Sequence, residues 1–155
     1  MVMKKRGGYE QSARFYDLFD QKKNIEFYLH HAITRGEILD VGAGTGRIAV
    51  ALARHGIEVY CVEPSPAMRR EFRYKLKKES RLQKLITLVP GSAADFRCPR
   101  SYRICIMSGV FDHLLNHEER RASLNNIAHH LSEDGVLIFD VHLGLMGNAP
   151  LQSAG

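Results

Sequence analysis

The chain has 155 residues, enough for one domain with a buried core and too few for two of ordinary size. Hydrophobic residues at 45% and charged residues at 25% are those of an ordinary soluble globular protein and exclude a disordered or fibrous one. The formal net charge of +5 is informative only where it concentrates, and eight Lys or Arg lie between Arg69 and Lys84. Cys61, Cys98 and Cys105 are odd in number and scattered, with no disulfide or metal-ligand spacing, so a reducing, cytoplasmic setting is expected. The basic start Met1–Arg6 runs into Gly7-Gly8-Tyr9-Glu10-Gln11 rather than an apolar stretch, which argues against a secretory signal. The apolar runs Ile104–Met107 and Val136–Phe139 are far too short to span a bilayer, so no membrane partner is expected.

Two helices are predicted first, over Glu10–Phe19 and Lys22–Thr34. Glu37–Val41 then reads as a strand, followed by a helix from about Gly46 to Arg54 and a stop at His55-Gly56. Glu58–Val62 is a second strand. Ser65-Pro66 starts the next helix, with serine as cap and proline in the first turn. Met68, Phe72 and Leu76 give that basic segment, residues 66–84, one apolar stripe at a spacing of four. A third strand spans Ile86–Val89 and a fourth Arg103–Met107. Asn116 with Glu119 three residues on forms a cap-and-box pattern opening a helix to about Leu131. Asp134-Gly135 reads as a turn and Gly135–Val141 as a fifth strand. Strands alternating with helices predict an α/β fold, a doubly wound Rossmann-like parallel sheet of about five strands with helices on both faces.

In such a sheet ligands bind where the carboxyl ends of the strands diverge. Asp40-Val41-Gly42-Ala43-Gly44-Thr45-Gly46 sits there, its glycines allowing a sharp turn and a close backbone approach. Glu63 lies seventeen positions beyond Gly46, at the end of the next strand, where a carboxylate can accept both hydroxyls of a ribose. The dinucleotide fingerprint wants glycine at its sixth position, and Arg47 stands there instead, against NAD.

Ile38 to Gly46 resembles the first motif of class I S-adenosylmethionine (SAM)-dependent methyltransferases. Glu63-Pro64-Ser65-Pro66-Ala67-Met68 is similar to that family's second strand end, Gly91–Phe96 to its adenine-contacting segment, and Met107–Leu114 to the loop beside the methyl donor. The likeness covers roughly residues 10–142 and is greatest to the small-molecule type. It implies SAM as cofactor, with S-adenosylhomocysteine as product. Asp40 and Gly42 would lie near the methionine part, Glu63 would hold the ribose, and Ala43, Gly44, Gly46 and Pro64 would be further cofactor-binding residues. Ser92, Ala93 and Asp95 would surround the adenine, although the family commonly carries an acidic residue where Ser92 stands. Ser108 and Phe111 would line the site from the fourth strand, and Tyr16 would belong to an N-terminal lid. Residues 1–36 are then a helical lid segment, 37–142 the SAM-binding core and 143–155 an irregular tail of one domain.

Methyl transfer requires a general base only when the acceptor must lose a proton, and His113 is the candidate. No metal is expected, because His30-His31 and His129-His130 lack the spacing of a ligand pair on one helical face. Nucleic-acid chemistry finds little support: Ser108-Gly109-Val110-Phe111 replaces an Asp-Pro-Pro-Tyr type loop, and Cys98-Pro99 reverses a Pro-Cys nucleophile. The family's last two strands have no counterpart before Gly155, so the chain is expected to be a C-terminally truncated domain or one completed by another chain, with the fifth strand an open edge that invites a homo-oligomer. The expected function is a methyltransferase with a small-molecule acceptor. The alternatives are a SAM-binding module without turnover, and an RNA or protein methyltransferase that uses the basic helix.

Overall fold

The computed structural model describes residues 24–141. The predicted first helix and Tyr16 lie outside them. Helix α1, Ile25–Arg35, leads into strand β1, Ile38–Val41. Helix α2 (Arg47–Ala53), strand β2 (Val59–Val62), helix α3 (Pro66–Lys78), strand β3 (Ile86–Val89) and strand β4 (Tyr102–Met107) follow. Helix α4, His117–His130, and strand β5, Leu131–Phe139, complete the fold. All pairings are parallel and the strand order is β3-β2-β1-β4-β5. The chain winds outward from β1 to β3, then returns to the far side of β1. The crevice therefore opens at the carboxyl ends of β1 and β4.

Alternation along the strands feeds two cores. Ile38, Val59, Cys61, Ile104 and Ile106 face α1, α2 and α3, while Leu39, Val41, Val62, Cys105 and Met107 face α4. Each face buries apolar strand residues, as a doubly covered parallel sheet requires. The predicted stripe of α3 is buried at Met68, Phe72 and Leu76. Ser65 caps that helix by accepting from the Met68 N–H, and Asn116 caps α4 by accepting from the Glu119 N–H. Glu119 reaches back to the Leu115 N–H, one residue before the cap, rather than to the Asn116 N–H of a standard box.

Several details differ from expectation. The basic helix stops at Lys78, where Glu79 leaves helical geometry and pairs with Arg54, and a single tight turn, Ser80–Leu82, follows. The fifth strand starts four residues early, because Leu131 is already extended and pairs with Tyr102 directly after α4. The expected Asp134-Gly135 turn survives as an excursion within that strand: residues 132–135 stand opposite Arg103 alone before Val136 meets Ile104. Finally, residues 90–101 join β3 to β4 across the sheet without a helix, so α4 and this connection share the cover of one face.

Candidate active site

The glycine loop follows β1 directly, and each glycine has its own reason to be there. Gly42, Gly44 and Gly46 have φ of 76°, 58° and 81°, in the left-handed region that side chains disfavour. A Cβ on Gly42 would fall 2.2 Å from a methyl of Val110, and one on Gly46 would fall 2.2 Å from the Phe72 ring. On Gly44 it would meet nothing within 4 Å. Gly42 and Gly46 are thus small for packing, and Gly44 is small where the loop faces open space.

Glu63, just past β2, is 5% exposed. Its Oε2 accepts from the Gly44 N–H at 2.8 Å and its Oε1 from the Ser65 N–H at 2.7 Å. Burial raises its pKa, and the two backbone bonds and the Arg69 guanidinium oppose that rise. Each carboxylate oxygen has capacity for a further hydrogen bond, and Glu63 lines the crevice. Arg69 fixes this corner by donating to the Glu63 and Pro64 carbonyls. Lys75 donates to the Thr45 hydroxyl from the same helix. The basic face of α3 is therefore partly spent on holding the glycine loop.

Asp40, the next-to-last residue of β1, pairs with Cys61 on one side and Ile106 on the other and is 2% exposed. Its Oδ2 has no hydrogen-bond partner among the described residues. Desolvation, then the nearby Glu63, pushes its pKa up to about 7 against the pull of Arg47. A buried carboxylate oxygen without a donor is costly unless something else satisfies it.

Two adjoining spaces flank the loop. The larger, about 260 Å³, is lined by Gly42, Gly44, Glu63, Pro64, Met68, Ser92, Ala93, Ser108, Gly109, Val110, His113 and Leu114. The smaller, about 40 Å³, lies among Asp40, Ala43, Thr45, Arg47 and Ser108. The fold thus brings nine expected residues and His113 around one crevice. Gly46 packs on Phe72 behind it, and Asp95 is exposed, accepting from the Ser92 N–H. Phe111 lines neither space: it stacks on Phe139 at 5.1 Å, with Arg120 over its ring.

Two neighbours were not expected from the sequence. Asp140, one residue past β5, accepts from the Ser108 hydroxyl at 2.8 Å and from the Gly109 N–H, tying the ends of β4 and β5 together. An acidic residue directly after the apolar run Val136–Phe139 was the available signal. Tyr28 is buried on α1 beside Ser108, and desolvation raises its pKa. Its spacing of four from Ala32 marks the buried face of that helix. Among the described residues no group of three or more His, Cys, Asp or Glu is placed to hold a metal ion. Among them, too, no helix is long and apolar enough to cross a membrane.

A family described as "Methyltransferase domain" matches residues 38–135, well over half of the chain. The chain belongs to this methyltransferase family. A curated relative from Bacillus thuringiensis (strain Al Hakam), an uncharacterised methyltransferase, is 26% identical over 144 residues, covering 86% of this chain and 65% of its own length. Among solved structures, the CcbJ methyltransferase from Streptomyces caelestis superposes with a TM-score of 0.74 at 24% identity, over 84% of this chain and 55% of that one. The glycopeptide N-methyltransferase MtfA in complex with sinefungin gives 0.70 at 22% identity, over 77% and 49%. This methyltransferase chain therefore spans about two thirds of the curated relative and about half of the solved structures.

Proposed function

We propose that the chain binds SAM in this crevice and provides the donor side of a methyl transfer to a small-molecule acceptor. The observation that carries this reading is Glu63: a buried carboxylate, fixed by two backbone N–H groups, on the wall of a cavity that the glycine loop leaves open. The orphaned Asp40 oxygen and the open space at Gly44 fit the same ligand. The solved glycopeptide N-methyltransferase also exists in complexes with SAM and S-adenosylhomocysteine, and an amino pentose methyltransferase shares the fold, which supports both cofactor and acceptor class.

Glu63 holds the ribose hydroxyls through charge-assisted hydrogen bonds, and Asp40 sits where a cationic amino group would satisfy it. Ser92 and Ala93 meet the adenine, and the apolar walls Met68, Val110 and Leu114 exclude water. SAM supplies the sulfonium-bound methyl and its own leaving group. The protein's task is then alignment of donor and acceptor, worth up to roughly 7–11 kcal/mol in well-oriented systems. His113, on the cavity wall, is placed to take a proton from an acceptor that must lose one. Residues 37–142 form the cofactor core in this reading, with 1–36 as a lid and 143–155 as a tail.

Incubation with methyl-labelled SAM and a metabolite extract tests it. Label is expected in small-molecule products with the wild type and not with Glu63→Ala. A folded Glu63→Ala that transfers at the wild-type rate would contradict the assignment.

A further inference from the structure

The turn expected to meet the adenine stands on unusual ground. Residues 92–95 leave β3, the outermost strand of the sheet, and continue to β4 through a connection that has no helix of its own. The turn's internal bonds are few: the Asp95 and Phe96 N–H groups donate to the Ser92 carbonyl, and Asp95 accepts from the Ser92 N–H. Helix α4 reaches it from behind. The Asn126 amide donates to the Ala93 carbonyl and to the Phe96 carbonyl, both at 3.2 Å. Its oxygen accepts from Arg97 at 3.0 Å, and the same guanidinium nitrogen donates to the Phe96 carbonyl at 2.8 Å. One turn further along that helix face, the His130 ring lies 4.6 Å from the Phe96 ring.

We propose that Asn126 is a positioning residue for nucleobase recognition: it clamps the 92–96 turn to α4 and so sets the cavity wall formed by Ser92 and Ala93. This rests on the SAM-binding reading of the crevice. Loop segments without their own secondary structure open locally at low cost, and a wall that moves cannot select a base edge. Asn126 closes two carbonyls at once and is itself oriented by Arg97, so the rigidity of a long helix is passed to the turn. Neighbouring Asn125 is exposed and makes no such bond, which makes it the natural control.

Two measurements on Asn126→Ala, with Asn126→Asp as a second variant that keeps the acceptor for Arg97, decide the matter. Without ligand, hydrogen exchange at the Asp95 and Phe96 amides is expected to accelerate about tenfold or more, as loss of two partly buried hydrogen bonds implies, with β1 and β4 unchanged. In calorimetry, affinity for S-adenosylhomocysteine is expected to fall about tenfold. Its preference over S-inosylhomocysteine, in which a 6-oxo group and N1–H replace the 6-amino group and the N1 acceptor, is expected to shrink. A merely structural role would lower both affinities equally, and Asn125→Ala is expected to change neither. Unchanged exchange at Asp95 and Phe96 overturns the clamp, and an unchanged ligand preference overturns its role in base recognition. A wild type that binds neither ligand removes the SAM reading together with the base-recognition role, while the exchange result still decides the clamp.

Discussion

Asp40 carries a carboxylate in a place where a carboxylate is expensive. Its folded pKa of about 7 against an ordinary value of 3.8 means that the folded protein holds a proton which the unfolded chain has released. Between about pH 4 and pH 7 the native state binds more protons, so this residue's contribution to stability falls as pH rises and levels off above 7. Asp40→Asn stays neutral throughout and is expected to flatten the slope by up to about 1.4 kcal/mol per pH unit. Denaturant titrations at pH 4, 5, 6 and 7 measure this, and a variant as steep as the wild type would refute it. The sequence singled out Glu63 by its place at the end of the second strand and Asp40 by the resemblance of the glycine motif it opens. Asp140 carries the same local signal, an acidic residue after an apolar run, and Tyr28 only its spacing of four from Ala32; what brings both beside Ser108 is the adjacency of β5, β4 and α1, which local spacing does not encode. Phe111 shows the converse: its position beside β4 was evident, but its contact with Phe139 depends on where β5 ends.

At the level of elements, the glycine loop and α3 form one unit. Phe72 occupies the volume that a Gly46 side chain would need, Lys75 bonds Thr45, and Arg69 fixes the carbonyls behind the Glu63 carboxylate. Gly46→Ala is therefore expected to cost about 3 kcal/mol, combining the left-handed Cβ penalty with displacement of a packed ring. Gly44→Ala meets no neighbour and is expected to cost only about 1 kcal/mol. That second variant nevertheless places a methyl at the open face of the loop, so it is expected to fold while losing S-adenosylhomocysteine affinity. Melting curves and calorimetry on the pair check this, and equal destabilisation by both would contradict the division of roles. The glycine pattern revealed a turn, whereas the reason for each glycine became visible only once α3 and Val110 were in place. Helix starts were equally legible, through Ser65 and Asn116, because a cap is a local device. Ends were less so: nothing local in Leu131 tells a last helical residue from a first strand residue, and its pairing with Tyr102 decides.

For the whole molecule, composition and the alternation of elements were enough to specify a parallel, doubly covered sheet. The strand order, β3-β2-β1-β4-β5, is set by the long connection that carries the chain from β3 back across to the far side of β1. The described part ends with β5 hydrogen-bonded to β4 only, and Phe139 and Val141 at its end are exposed. The most direct test is isothermal calorimetry of S-adenosylhomocysteine with the wild-type chain and with Glu63→Gln. The expected result is one saturable site in the wild type, weakened at least about tenfold by loss of the charge-assisted ribose bonds in the variant. No heat of binding in the folded wild type, or equal affinity in both proteins, would contradict it.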